Sequence, residues 1–473
     1  MKKVDIIREE LKTTYDTNLI DIISEEDQVK YLNSSIMNRN SGKGNRVIKE
    51  LTYNHYTKYK PIADFIGGPK TLSIHWHPKY KKIIYIFGEE HTITMDCNKF
   101  KTIDTPYPIT VPIEDYLYDL MKSTDVFLDI YFEFPFPTSD DYRILPVGME
   151  RGYSSNFRLV NLFNKFKKCL LYDTRHAKSC QLARSHYFDI RNISKNPLDL
   201  EESKIDIVTI RSVLFQIASE LKNSGLARTI DKLIIFLESK PIITDILSNL
   251  ADENNEKVLT FMRNQLKENR YIKKELSKIS ENSLNLNDAI DIFFYAQMRA
   301  EMRKYDCIDK IKESAKILLN YKYETDESLY NNLNDFMIGM SSPVICFTDA
   351  YLIARVFKDF NMTEMDKKAY KGSTLQPNRA HNIIIYAGDS HSHNYRNFLS
   401  YVGFTEIDSI GIDLENPDPY LVNPNMPRNC LDMRSIKQPF FSYKRYDKSS
   451  FNVIKKSKRR KAVIPYEDKK SGI

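Results

Sequence analysis

The chain lacks most of the short motifs that mark catalytic and nucleotide-binding sites. Its 473 residues contain no Walker loop, no G-x-G-x-x-G turn, no G-x-S-x-G nucleophile elbow and no H-E-x-x-H zinc motif. No run of about 18 apolar residues is present either, so we expect no transmembrane helix and no membrane partner. Residues that are distant in the sequence must therefore define any functional site.

Cysteine is scarce, and its arrangement is uninformative about metals. The six cysteines are scattered and form no C-x-x-C pair, which argues against zinc knuckles and thioredoxin-type redox centres. Most lie in apolar or helical surroundings, which predicts buried thiols in a reducing compartment. The amino-terminal stretch MKKVDIIREELKTT lacks the apolar core of a signal peptide. These features predict an intracellular protein, or one that is packaged from the cytoplasm.

The positive charge is concentrated at the end of the chain. Residues 444–473 contain eleven Lys and Arg against three Asp and Glu, a net charge of +8, which leaves −1 for the remainder of a chain whose total is +7. Such a run is usually a solvated tail, although weak nucleic-acid contact through it is the alternative. The body of the protein therefore gives no indication of a nucleic-acid-binding fold.

The hydrophobic pattern predicts an α/β fold. A continuous apolar strand at 82–87, a helical pattern at 113–123 and a second strand at 125–136 form a βαβ unit. Apolar residues then recur at helical spacing from about 200 to 340. We expect a mainly parallel sheet core with a large all-helical insertion and an irregular basic carboxyl-terminal tail. The expected segments are a partly helical arm at 1–60, the first half of the core at 61–200, the insertion at 201–341, the second half of the core at 342–411 and the extension at 412–473.

Two segments repeat one pattern, a buried strand that ends in Gly-x-x-His. The first is KIIYIFGEEH, with Gly88, Glu89 and His91, and the second is IIIYAGDSH, with Gly388 and His391. Parallel strands deliver the residues that follow them to the carboxyl edge of the sheet, where α/β proteins place their sites. If the strands are neighbours, the two histidines meet there. Each would begin a helix, whose positive end favours neutral imidazole, the form that accepts a proton or binds a metal.

Three further charged residues are candidates for the same site. In DVFLDIYFEF, Glu133 lies at the strand end and can reach the edge, whereas Asp129 is four residues deeper, roughly 13 Å away at strand rise, and fits a structural salt bridge better. A buried ion pair is the alternative for Glu133. Arg355, in an apolar helix ahead of the second motif, and Arg184, in RSHYFDIR, could stabilise developing negative charge. The alternative for Arg184 is a structural polar network.

Three other histidines have spacings that suit a metal. His75 and His77 share one face of the predicted strand LSIHWH, where a solvated edge is the alternative. His393 forms H-x-H with His391 and is a candidate auxiliary ligand. A single Gly-x-x-His also occurs at ordinary strand-turn-helix junctions. Two such motifs, each after a predicted buried strand, are therefore a stronger indication of a site than one.

The paired motifs, the strand-end glutamate and the arginine-bearing helix resemble the erythromycin esterase, ChaN, TraB and Tiki superfamily. The resemblance implies an α/β core with inserted helices and a crevice lined by both histidines and acids. Some members of that superfamily are esterases, others are metal-dependent peptidases, and others have no settled activity. The residues that match are Gly88, Glu89, His91, Glu133, Arg355, Gly388 and His391.

A second resemblance concerns local sequence and amino-acid composition across much of the chain. The segments CFTDAYLIARVF, IIIYAGDSHSHNY and RNCLDMRSIKQPFF are similar to paralogous proteins of mimivirus-type giant viruses. This implies a viral protein, located in the host cytoplasm or the virion, whose partners are viral structural components.

Two functions follow as hypotheses. The first is a hydrolase of esterase or peptidase type, with an unknown substrate and with His91, His391, Glu89 and Glu133 at its centre. One divalent metal held by His91, His391 and Glu133 would activate water, or one histidine would act as general base. The second is a non-catalytic virion-associated or interaction protein on the same fold.

Overall fold

The structure is a computed structural model that describes most of the chain between residues 63 and 441. The described residues are 63–77, 79–90, 97, 110–124, 127–135, 157–167, 169, 183–191, 202, 205–224, 226–280, 285–323, 326–360, 378–412, 429–438 and 440–441. The predicted amino-terminal arm and the basic tail at 444–473 lie outside these residues, as does His91.

A six-stranded mixed sheet forms the centre of the protein. Its strands, numbered along the chain, are β2 (Pro69–His77), β3 (Lys82–Glu89), β5 (Leu128–Pro135), β6 (Ala183–Asp189), β7 (Asn382–Gly388) and β8 (Thr405–Ile410). Their spatial order is β6-β5-β7-β3-β2-β8. The pairs β6–β5, β5–β7 and β7–β3 are parallel, and β3–β2 and β2–β8 are antiparallel. The α/β prediction is therefore confirmed, with a parallel centre and an antiparallel edge.

A second sheet is small and lies beside the first. It has the order β4-β1-β9, with β1 (Phe65–Gly67) between β4 (Thr110–Pro112) and β9 (Cys430–Asp432). Two helices accompany this part of the chain, α1 (Ile113–Ser123) and α2 (Phe157–Phe166). The residues after β9 return to the main sheet, because Phe440 and Phe441 pack against Tyr85 with ring centroids 4.4 and 4.7 Å away.

Helices occupy most of the described chain between β6 and β7. They are α3 (Ile207–Ser224), α4 (Leu226–Ser239), α5 (Pro241–Leu250), α6 (Asn255–Glu268), α7 (Arg270–Leu276), α8 (Leu286–Lys304), α9 (Cys307–Leu319), α10 (Asp326–Gly339) and α11 (Ser341–Phe357). A last helix, α12 (Asp389–Tyr401), follows β7 directly. The helical spacing in the sequence correctly predicts this stretch.

The alternation of side chains along the strands divides the core between the two faces of the main sheet. Ile84 and Ile86 of β3 pack in one hydrophobic cluster with α11 and the other helices. Tyr85 and Phe87 of the same strand pack in a second cluster with α1, α2 and the carboxyl-terminal return. We call these the helical face and the opposite face of the sheet.

Three cysteines contradict the prediction of buried thiols. Cys97 and Cys430 form a disulfide with Cα atoms 5.2 Å apart, and Cys169 is also disulfide-bonded. Cys307 and Cys346 are free and buried, as predicted. Because disulfides persist in oxidising surroundings, the cysteines no longer support a reducing compartment.

Within the described part of the chain, no single helix is long and apolar enough to cross a membrane. One pair of described helices reaches the length and mean hydropathy of a membrane span when the two are taken together. They are Glu327–Gly339 and Ser341–Phe357, and they are bent by 40° at the break between them.

Candidate functional site

The two strands that end in Gly-x-x-His are adjacent in the sheet. β3 and β7 are parallel, and Glu89 pairs with Gly388 in their register. Both motifs therefore leave the same carboxyl edge, as the sequence predicts. Glu133 lies near this edge in the neighbouring strand β5, two residues before the strand ends and one residue after its last pair with β7. His391 lies in the first turn of α12, which starts immediately after Gly388.

His391 is buried between two carboxylates. Its Nδ1 donates to Asp349 Oδ1 at 2.5 Å, and its Nε2 lies 3.2 Å from Glu133 Oε1. Asp349 belongs to α11 and is fully buried. Its second oxygen accepts a hydrogen bond from Asn394 Nδ2 at 2.7 Å. The result is a continuous Asp349–His391–Glu133 chain that joins α11, α12 and β5.

The imidazole in this chain carries a positive charge at neutral pH. Burial disfavours the charge, but the carboxylates of Glu133 and Asp349 outweigh burial and raise the pKa of His391 to about 10. The expectation of a neutral imidazole is therefore wrong for His391. Two carboxylates in direct contact have a larger effect than the positive end of α12.

Glu133 is held by three donors. Besides His391, its Oε1 accepts a hydrogen bond from Arg191 Nη2, and its Oε2 accepts one from the Gly388 backbone N–H at 2.7 Å. Arg191 also bonds to Asp189 through its Nε, at 2.8 Å. Charge-assisted hydrogen bonds of this kind favour the carboxylate over the carboxylic acid. Glu133 thus has the contacts of a carboxylate ion that is fixed near the end of its strand.

Glu89 does not join this chain, although it lies at the same edge. Its carboxylate accepts a hydrogen bond from Tyr386, and Tyr386 packs in the cluster on the opposite face of the sheet. Glu133 shares its strand face with Tyr131, which packs on the helical face. The prediction grouped Glu89 with His391, but the alternation of side chains places them on different faces.

Arg184 and Arg355 bind groups nearer the amino ends of β5 and β6, away from the carboxyl edge of the sheet. Arg184 forms a two-point salt bridge with buried Asp129, at 2.6 and 3.0 Å. Arg355 Nη2 donates to His186 Nδ1 at 3.1 Å, and His186 Nε2 donates to Asp129 Oδ1 at 3.0 Å. The structure therefore gives Asp129 the structural salt bridge that the sequence predicts. It does not bring either arginine to His391.

His186 and Asp129, which bind Arg355 and Arg184, each keep one protonation state. Burial is the main cause that lowers the pKa of His186 to about 3, and the charge of Arg355 adds to it. Burial would raise the pKa of Asp129, but the Arg184 charge and the hydrogen bonds from His186 and Arg184 hold it below its usual range. Neutral His186 thus connects Arg355 to a carboxylate that stays ionised.

The remaining histidine candidates are apart from His391 or outside the described residues. His75 lies in β2, where it is buried and its Nε2 is 2.9 Å from Ser73 Oγ. His77 packs against Tyr80 and Phe404. His393 is half-buried on α12 and bonds to Asn397 at 2.9 Å. His91 lies outside the described residues, so its meeting with His391 stays a prediction.

Two residues that contact His391 or Glu133 were not predicted as site residues, namely Asp349 and Arg191. Asp349 and Arg355 both interrupt the apolar helix, and only Arg355 was a predicted site residue. Six helical positions separate them, about 600° of rotation and 9 Å of rise, and Asp349 contacts His391 while Arg355 contacts His186. The buried acid in an otherwise apolar stretch was the available signal for Asp349. The polar segment RSHYFDIR was the available signal for Arg191, which lies two residues beyond the end of β6, but the prediction selected Arg184 from that segment.

The described donors do not fit a metal ion as they are arranged. Glu133 Oε1 is bonded to the Arg191 guanidinium, and both nitrogens of His391 face carboxylates. Across the ranges that the structure describes, no group of three or more His, Cys, Asp and Glu side chains could hold a metal. The predicted ligand set includes His91, so it stays a prediction.

Comparison of the chain with family models, with curated proteins and with solved structures found no match. The resemblances to the erythromycin esterase-like superfamily and to giant-virus proteins therefore stay predictions.

Proposed function

We propose that the protein is a hydrolase in which Glu133 and His391 are the reacting groups. The observation that carries the proposal is the Asp349–His391–Glu133 chain at the carboxyl edge of a parallel sheet, the position where α/β folds place their sites. It combines a charged acid and a charged base, buried side by side, with a third group that orients the acid.

The protonation states assign the roles. His391 is an imidazolium with a pKa of about 10, so it donates a proton to the leaving group rather than accepting one from water. Glu133 is the carboxylate that would take a proton from water. Asp349 holds the imidazole at Nδ1 and directs Nε2 towards Glu133. Glu133 and His391 are buried and in contact, with 3.2 Å between Nε2 and Oε1, so this contact must open before water and an ester or amide substrate can reach both groups.

The test is hydrolysis of a panel of chromogenic esters and peptides by the purified protein. Glu133→Gln and His391→Gln should each lower kcat/KM by about 100-fold or more, since general acid–base groups contribute on that scale. Asp349→Asn should lower kcat more than it raises KM. His393→Gln, on the same helix and at a residue that hydrogen-bonds to Asn397 at 2.9 Å, is the matched control and should keep wild-type rates.

A metal-chelator arm separates the metal-free proposal from the metal site predicted with His91. Rates that survive chelation agree with proton transfer by Glu133 and His391. Rates that are lost on chelation and restored by a divalent ion would replace this proposal with the metal version. Hydrolysis that persists in Glu133→Gln would refute the role of Glu133.

The second candidate is a non-catalytic interaction protein, for which viral structural components are the proposed partners. One observation favours it: both nitrogens of His391 and both oxygens of Glu133 are already occupied by groups of the chain. Full pairing is typical of a buried structural network. In that case His391→Gln lowers stability, and the wild-type protein hydrolyses nothing on the panel.

A further inference from the structure

One arginine near the proposed site lacks an anionic partner. Arg211 belongs to α3, and it forms no ion pair and no side-chain hydrogen bond with the residues that the structure describes. Its Nε is buried without a hydrogen-bond partner, and its guanidinium carbon lies 5.9 Å from the centroid of the Phe215 ring. A guanidinium has five N–H donors, and a buried charge costs free energy unless it is paired. The donors of Arg211 are therefore left for water or for a bound anion.

Arg211 lies within electrostatic range of the residue that holds Glu133. Burial is the main cause that lowers the pKa of Arg211 to about 10, the like charge of Arg191 lowers it further, and the carboxylate of Asp189 opposes both. Arg191 is the residue whose Nη2 donates to Glu133. Arg211 thus stays charged at neutral pH, close to a second guanidinium at the Glu133 end of the buried acid–base chain.

Asp189 does not supply the missing contact. Its Oδ1 accepts hydrogen bonds from the backbone N–H and from Nε of Arg191, at 2.9 and 2.8 Å, and its Oδ2 accepts one from Nη2 at 3.1 Å. Nη2 also bonds to Glu133, so Nη1 is the Arg191 nitrogen that forms no hydrogen bond with a described residue. Two neighbouring guanidinium groups therefore keep unused donors, and one of the two groups is in direct contact with Glu133.

The charges at this edge of the sheet indicate which kind of anion fits. They are three cations and three carboxylates, namely His391, Arg191, Arg211, Asp349, Glu133 and Asp189. The total is balanced, so a phosphate dianion would add two uncompensated negative charges to a half-buried place, whereas a carboxylate adds one. A carboxylate also matches the planar fork of a guanidinium, with two parallel N–H···O bonds. Charge and geometry both favour a carboxylate.

We propose that Arg211 and Arg191 bind a carboxylate of the substrate, so that the ester or amide that is hydrolysed carries a free carboxylate. Arg191 then contacts both this group and Glu133, which places the carboxylate beside the reacting pair. The assignment of the carboxylate to a substrate rests on the proposed function. The binding of a carboxylate by the two arginines does not.

Thermal unfolding of the full-length protein tests carboxylate binding without a substrate. Sodium acetate, compared with sodium chloride at equal ionic strength, should raise the Tm of wild type, because a ligand that binds only the folded state stabilises it. Arg211→Met should need at least about tenfold more acetate for the same rise in Tm, since charge-assisted hydrogen bonds contribute on that scale. Arg263→Met, which removes an arginine of α6 that bonds to Asp291 at 2.9 Å, is the matched control and should respond as wild type does. Equal responses of wild type and Arg211→Met would overturn the proposal.

Stability in chloride separates a binding role of Arg211 from a structural one. Burial disfavours the unpaired charge of Arg211, so Arg211→Met without acetate should be at least as stable as wild type. A structural counter-charge for Asp189 predicts the opposite result. An Arg211→Met variant that is clearly less stable in chloride, or that does not fold, would therefore overturn the binding role.

Arg211→Lys tests the geometry of the contact, and it keeps the charge in a side chain that has no planar fork. We expect this variant to fold and to need several-fold more acetate than wild type for the same rise in Tm. An unchanged response would overturn the two-point contact of the guanidinium. Sodium phosphate tests the choice of anion: stabilisation of wild type at lower concentrations of phosphate than of acetate would overturn the carboxylate assignment.

Activity is measured last, on the 4-nitroanilides of succinic acid, which keeps one free carboxylate, and of pentanoic acid, which is neutral and of similar length. Wild type should show at least about tenfold higher kcat/KM for the succinic compound. Arg211→Met should remove this preference, mainly by raising KM for the succinic compound, and Arg263→Met should keep it. Equal kcat/KM values in wild type would overturn the substrate class. If wild type hydrolyses neither of these compounds nor anything else on the panel, the proposed function fails, while thermal unfolding still decides whether the two arginines bind a carboxylate.

Discussion

The charge on His391 is set by two residues that are remote in the sequence, Glu133 and Asp349. Its pKa rises from 6.5 to about 10 because these carboxylates outweigh burial. A raised pKa stabilises the folded state fully below the unfolded value, and the stabilisation is lost as pH rises through the folded value. His391 thus contributes to stability up to about pH 6.5, and this contribution falls between there and pH 10.

We predict that the stability advantage of wild type over His391→Gln shrinks by on the order of 3 kcal/mol between pH 7 and pH 10. Denaturant unfolding of both proteins across this range measures it. Taking the difference between the two proteins removes the titration of surface lysines. A constant difference across the range would mean that His391 is not charged in the folded protein.

The residues of this site differ in how far the sequence reveals them. Glu133 lies near the end of one strongly predicted strand, and His391 follows directly after another, so their meeting could be predicted. Their charge states could not, because Asp349 reaches His391 only through the packing of α11 on the sheet. Glu89 was misplaced for a simpler reason: proximity to a motif does not specify which face of a strand a side chain occupies.

At the level of elements, Asp129 and Arg184 connect the neighbouring strands β5 and β6. Both are buried, and Asp129 also accepts a hydrogen bond from His186. Arg184→Met would leave a buried carboxylate without its main counter-charge. We predict a loss of about 3–5 kcal/mol in the free energy of unfolding for this variant, measured by denaturant titration.

The double variant Asp129→Asn/Arg184→Met should be more stable than Arg184→Met alone. Asparagine keeps an acceptor for His186 and leaves no buried charge behind. A double variant less stable than the single one would show that the charge of Asp129 is not the source of the cost. Lys165→Met, which breaks an exposed ion pair with Asp115, is the control and should cost less than about 1 kcal/mol.

Element types were more predictable than element neighbours. Apolar runs and helical spacing correctly indicated β3, β5, β7 and the helices between β6 and β7. The antiparallel strands β2 and β8 complete the sheet through pairings between residues more than 300 positions apart, and no local pattern encodes such pairings. The disulfide between Cys97 and Cys430 escaped prediction for the same reason, since its partners are 333 residues apart.

At the scale of the whole molecule, the helices and the sheet share one hydrophobic cluster. That cluster contains Ile84 and Ile86 of β3 together with buried residues of the helices from α3 to α12. Phe294 of α8 is fully buried and stacks on Phe398 of α12, with ring centroids 5.5 Å apart. A chain of this length can unfold in steps. A shared core argues instead that the helices and the sheet lose their structure together.

The single tryptophan allows this to be tested. Trp76 is buried in β2 and its fluorescence reports on the sheet, while far-ultraviolet circular dichroism reports mainly on the helices. Phe294→Ala should lower the free energy of unfolding by about 3–5 kcal/mol and shift the midpoints of both signals equally. Ile292→Ala, two positions away on α8 but half exposed, should change either midpoint little. If the dichroism midpoint shifts while the fluorescence midpoint stays, the helices form a separate unit, and the site at α11, α12 and β5 spans the boundary between two units.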